Sequence, residues 1–117
     1  MRDHRKLDAF RFADDLVISV YRATENLPTT EQYGLTSQIR RSAVSVAANI
    51  VEGSARESEK DYIRFPGIAF GSVRELGYLV SLASRLGYLD DEVAQALETQ
   101  QSRTAGSLGA LIQALKS

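Results

Sequence analysis

Five basic residues are the first candidates for chemistry: Arg40, Arg41, Arg56, Lys60 and Arg64, with Tyr62 and Phe65 among them. Guanidinium and ammonium groups contact phosphates, and aromatic rings stack on bases. The spacing predicts that the five gather around the loop after Glu52. Glu52, Glu57, Glu59 and Asp61 are interleaved with them, so five positive charges face four negative ones. That pattern equally suits a solvated, salt-bridged helix surface. On these residues alone, the salt-bridged surface is the simpler reading.

Glu52 and Glu75 are the carboxylates to weigh. A carboxylate pair would hold a metal, but either residue would also satisfy an arginine or a helix end, which is the commoner use. Glu75 falls between the Ser72/Leu76 and Leu79/Leu82 pairs, which predicts partial burial. A buried carboxylate needs a partner, and Arg41 or a backbone donor would serve. The chain has no cysteine and one histidine, His4. Thiolate metal sites, cysteine nucleophiles and the Glu-x-x-His pairs of di-iron bundles are thereby excluded, and a Ser-His-Asp triad is disfavoured. Gly53-Ser54-Ala55-Arg56 lacks the spacing of a phosphate-binding loop and follows no strand. No catalytic, cofactor-binding or metal-ligating residue is assigned, and no cofactor is expected.

These residues must be positioned by helices. Of the 117 residues, 44% are apolar and 25% charged, a globular balance with enough chain for one core and no second domain. The net charge of -1 is unlike that of a strongly basic nucleic-acid binder, though a local patch remains compatible with it. No signal peptide or apolar run of membrane-spanning length is visible, which predicts a cytoplasmic chain without membrane contact.

Apolar residues recur at helical spacing almost throughout. Ala9, Ala13, Leu16, Val20, Ala23 and Leu27 mark a helix over 8–27, with Asp8 as N-cap and Pro28 as terminator. A second spans 36–52, with Gly53 as its C-terminal cap. It carries two apolar stripes: Ile39, Ala43, Val46 and Ile50, then Val44, Ala47 and Val51. The third spans 59–86, with Ser58 and Asp61 resembling a capping box and Gly87 closing it. Its heptad seam is Tyr62, Phe65, Ala69, Ser72, Leu76, Leu79, Ala83 and Leu86. The fourth spans 91–115, with Ala94, Leu97, Gln101, Thr104, Leu108, Leu111 and Leu115 on one face. Short connections between four amphipathic helices predict an all-α, antiparallel up-down-up-down bundle occupying 1–117. Its main core residues should be Leu16, Ile39, Val46, Ile50, Phe65, Leu76, Leu79, Leu97, Leu108 and Leu111.

The run from Tyr33 through Gln38-Ile39-Arg40-Arg41-Ser42 to Asn49-Ile50-Val51-Glu52-Gly53 resembles the four-helix-bundle family of 23S rRNA intervening-sequence (S23) proteins. Arg56-Glu57-Ser58, Arg64-Phe65, Glu75-Leu76 and Leu86-Gly87-Tyr88-Leu89 extend the match, as do Leu16-Val17, Tyr21 and Leu27-Pro28. The resemblance implies a bundle that assembles into ring-like homopentamers. It implies an association with RNA or nucleoprotein, because some members are encoded within 23S rRNA gene insertions and a related protein works with a retroelement reverse transcriptase. It supplies no active-site residue. The family pattern usually has a bulky apolar residue, often leucine, at the position of Pro66.

The function expected is therefore non-enzymatic: a homo-oligomeric adaptor for RNA or nucleoprotein, with Arg40, Arg41, Arg56, Lys60 and Arg64 as contacts. The alternative is a protein-interaction scaffold that binds no nucleic acid. The spare stripe on the second helix, with Ser42, Ser45, Ala47 and Ala48, should admit a neighbouring chain. Pro66 should kink the third helix without dividing it, and Pro66→Leu should raise the melting temperature.

Overall fold

The computed structural model describes residues 2–117. Four helices carry the chain: α1 (Asp8–Ala23), α2 (Leu35–Ser54), α3 (Glu59–Arg85) and α4 (Asp91–Lys116). Single 3-10 turns, His4–Lys6 and Thr29–Glu31, precede α1 and α2, and no strand occurs among the described residues.

The paired residues across each seam run in opposite directions. Arg40 of α2 bonds Thr24 at the end of α1, whereas Ser54 at the far end of α2 receives the Arg2 N–H. Between α2 and α3, Ser42 meets Ser72, while Gly53 meets Phe65. Gln101 of α4 reaches Val73, and Gly109 lies near Phe70. Arg103 of α4 stacks over Phe12 of α1. Every helix is thus antiparallel to its sequence neighbour, and α4 closes back on α1.

Nine of the ten expected core residues are buried; Leu111 is only half-buried. Phe65 is buried beside the α2–α3 turn, outside the main cluster around Leu16, Ile39 and Leu76. Six of the eight expected seam residues on α3 are buried, and the buried face is wider than that seam. Val73 and Val80 are buried, whereas Ser72 is half-buried and Leu86 is 53% exposed. α3 packs against both α2 and α4, so it buries a wider arc than a single heptad seam.

Three helix ends differ from expectation. α1 stops at Ala23, well before Pro28. The Thr24 hydroxyl donates to the Val20 carbonyl at 2.8 Å, and the chain turns so that Leu27 packs into the core from outside the helix. Leu7, not Asp8, is the N-cap; Asp8 is inside the first turn and pairs with Arg11. α2 continues through Gly53, which is therefore no cap. Gly53 is buried against α3, where a Cβ would lie 2.8 Å from the Phe65 Cβ.

Other signals act as expected. The Ser58 hydroxyl accepts the Asp61 N–H at 3.1 Å at the start of α3. At the other end Gly87 has φ of 79°. Its N–H reaches the Ser84 carbonyl at 3.0 Å, and the Tyr88 N–H reaches Ala83 at 2.9 Å. This is a complete Schellman closure, with glycine in the left-handed region. Gly87→Ala should cost about 1 kcal/mol, because a Cβ disfavours that region. Thermal unfolding followed by circular dichroism should show a melting temperature about 5 °C lower.

Pro66 is fully buried within an unbroken α3. The small residues of α2 divide their work. Ser42 and Ser45 face α3 within the bundle and do not await another chain. Val44 and Val51 are 41% and 39% exposed, Ala48 is exposed, and Ala47 is half-buried.

Candidate nucleic-acid interface

Basic and aromatic side chains converge where α2 passes into α3. The connecting loop is short, and the Ser58 cap fixes the direction in which α3 leaves it. Phe65, two turns into α3, packs back against Gly53. Arg56 in the loop and Arg64 on α3 each hold a guanidinium 4.8 Å from the Phe65 ring centroid. Arg2 joins them from the N-terminal segment, 4.0 Å from the Tyr62 ring, with its backbone N–H on the Ser54 carbonyl. Burial pushes the Tyr62 phenol above its ordinary pKa, and the Arg2 charge partly opposes that rise.

The acidic neighbours are only partly committed. Glu52 pairs with Arg56 one turn along, and Glu59 pairs with Arg2 at 3.3 Å. The Arg56 Nε is buried and has no hydrogen-bond partner. Lys60 and Arg64 are exposed and sit four residues apart on α3, so they share a face. Glu57 and Asp61 are exposed nearby. The corner thus contains salt bridges and two solvent-facing cations together. Its chemistry suits phosphate on the exposed Lys60 and Arg64, whereas the buried Tyr62 and Phe65 rings carry cations and offer no face for stacking.

The five sequence-predicted residues do not form one cluster. Arg56, Lys60 and Arg64 are together. Arg40 and Arg41 lie near the opposite end of α2, about 20 Å away at 1.5 Å per residue. Arg40 stacks 4.6 Å from the Tyr21 ring and donates to Thr24 Oγ1 at 2.9 Å and the Tyr21 carbonyl at 3.3 Å. It thereby satisfies the C-terminal end of α1, where carbonyls lack helical partners. Arg41 is exposed beside a groove between α2 and α3. Glu75 borders the same groove and is exposed, not partly buried. It lies outside the buried arc of α3 that holds Val73, Leu76 and Leu79. Arg2 had no periodic signal to reveal it; only the fold carries the N-terminal segment to this corner. Among the described residues no three His, Cys, Asp or Glu side chains gather as a metal would require. None of the helices is long and apolar enough to cross a membrane among the described residues.

The fold and this corner define an antiparallel four-helix bundle with one end where arginines stack on buried aromatic rings and the cations are matched by an equal number of acidic residues. The model of the 23S rRNA-intervening sequence protein family matches residues 5–110, and the chain belongs to that family. A crystal structure of a protein of unknown function from the S23 ribosomal protein family of Bacteroides thetaiotaomicron VPI-5482 has the same fold. Its TM-score is 0.83 at 22% identity, covering 90% of this chain and 95% of that one. No curated protein matches the chain.

Proposed function

We propose that this protein is a homo-oligomeric, non-enzymatic adaptor that binds structured RNA through the α2–α3 corner. The observation that carries the reading is the pair of guanidiniums, Arg56 and Arg64, on one Phe65 ring, with exposed Lys60 beside them. Membership of a family named for rRNA intervening sequences supports RNA as the partner. Self-association is supported by the exposed Val44, Ala48 and Val51 on one side of α2. Apolar surface of that kind is commonly covered by a neighbouring chain. The resemblance-based number of protomers is five. Symmetry would repeat the exposed Lys60 and Arg64 face around the assembly, so weak contacts would act together.

Light scattering at micromolar concentration should give a mass above that of one chain. Labelled structured RNA should bind the assembly and be released as salt rises from about 50 to about 200 mM, as counterion exchange requires. Lys60→Gln/Arg64→Gln removes two exposed charges while leaving the Arg56–Glu52 pair in place. The slope of log affinity against log salt should become shallower by about 2. No binding by the wild-type protein at about 50 mM salt, or an unchanged slope in the double variant, would move the function to the protein-interaction scaffold.

A further inference from the structure

A second polar site lies on the molecule, away from the α2–α3 corner. It is a groove of about 300 Å³ between α2 and α3, lined by Gln38, Arg41, Ser42, Ser45, Ser72 and Glu75. Small-molecule sites start at about this size. None of its lining residues is apolar, which is unusual for a seam between two bundle helices.

The floor of the groove is built. The Ser42 hydroxyl donates to the Ser72 carbonyl at 2.9 Å, which draws the two helices together. Ser45 and Ser72 hydroxyls are 2.8 Å apart, and Asn49 Nδ2 donates to Ser45 Oγ at 3.0 Å. The Ser45–Ser72 pair has two hydroxyl hydrogens and uses one between its oxygens. Whichever serine donates, the other hydrogen is left over at the groove. Gln38 adds an amide with both donors and an acceptor.

The walls of the groove carry opposite charges that do not meet. Arg41 and Glu75 both line it, both are exposed, and neither makes an ion pair or hydrogen bond among the described residues. A cation and an anion held across a hydroxyl-lined floor match a molecule that bears both charges itself. We infer that the groove binds a small zwitterion, an α-amino acid, with its carboxylate on Arg41 and the free serine hydroxyl and its ammonium on Glu75. A guanidinium receives a carboxylate through two parallel N–H donors, and this geometry would set the ligand's orientation. This inference is separate from the RNA reading: Arg41 lies about 20 Å along α2, and Glu75 about 16 Å along α3, from the corner.

Isothermal titration calorimetry with the common α-amino acids, added singly to the wild-type protein, tests it. Propionate and ethylammonium serve as probes that carry one charge each. At least one amino acid should give saturable heat, and both single-charge probes should bind about tenfold more weakly or not at all, as loss of one charged contact implies. Arg41→Gln and Glu75→Gln should each lower the affinity about tenfold. Both side chains are exposed, and circular dichroism should show both variants folded. Lys60→Gln/Arg64→Gln should bind the amino acid like wild type. Absence of saturable heat with every amino acid overturns the inference. So does equal binding of propionate, or full affinity in a folded Glu75→Gln variant.

Discussion

Gly53→Val should lower the melting temperature by about 12–15 °C, the largest change expected from a single substitution considered for this bundle. The cause is the crossing of α2 and α3. A Cβ at residue 53 would lie 2.8 Å from the Phe65 Cβ and 3.4 Å from Tyr62 Cδ1. The Phe65 Cβ is bound directly to the α3 backbone, so it cannot swing aside as a side-chain tip would. The helices must separate, and over-packing of this kind costs about 1–3 kcal/mol. Valine adds two methyl groups to the same clash, which places it at about 3 kcal/mol. Gly53→Ala should be milder, since leaving glycine inside a helix regains up to about 1 kcal/mol. Gly106→Ala provides the contrast. It is exposed within α4, and a Cβ there meets nothing within 4 Å. Alanine at 106 should therefore stabilise by about 0.5–1 kcal/mol. Thermal melts of the three variants check the argument; a neutral Gly53→Val would show that the helices separate without cost.

Pro66→Ala should change stability in the other direction, raising the melting temperature by about 5–8 °C. Proline at 66 has no N–H for the Tyr62 carbonyl, and its ring crowds that carbonyl. In a helix interior this costs about 3 kcal/mol. Alanine restores the hydrogen bond but removes about two buried methylenes, a loss of about 1.6 kcal/mol. The net gain is about 1–2 kcal/mol. Because Pro66 is fully buried, leucine would add volume to a closed site and mix over-packing with the backbone gain. Alanine isolates the backbone effect. Chemical denaturation should show a higher midpoint with an unchanged slope. A lower midpoint would mean that the shape proline gives α3 is needed for packing.

Helix identity was legible because burial recurs with the helical period, and it recurs over many residues. Leu16, Ile39, Val46, Leu76, Leu97 and Leu108 could be named as core without a structure. Strong local stops were legible too: Ser58 opens α3 and Gly87 closes it by chemistry confined to neighbouring residues. The misread positions share a feature. Gly53 looks like a helix cap locally, yet its role is to admit Phe65 from another helix. Ser42 and Ser45 looked like spare small surface, yet they bond Ser72, about thirty residues away in sequence.

The basic residues show the same division. Arg56, Lys60 and Arg64 lie within nine residues of one another across a single turn, and Arg56 and Arg64 share the Phe65 ring. Sequence spacing also grouped Arg40 and Arg41 with them, although α2 carries these two to its other end. Arg40 then caps α1, and Arg41 faces Glu75 across a polar groove.

By itself the sequence determined the all-α class, the four helices, most of the core and the family. These follow from periodicity, local caps and a run of matching residues, all of which are properties of neighbours along the chain. Only the tertiary structure decided which glycine admits a helix, which arginines share a ring, where Arg2 docks and which opposite charges flank a groove. Those outcomes depend on the rotation and register of one helix against the next. Packing of α3 against both α2 and α4 buries Val73 and Val80 beside the expected seam, keeps Ser72 at the α2 contact and leaves Glu75 exposed.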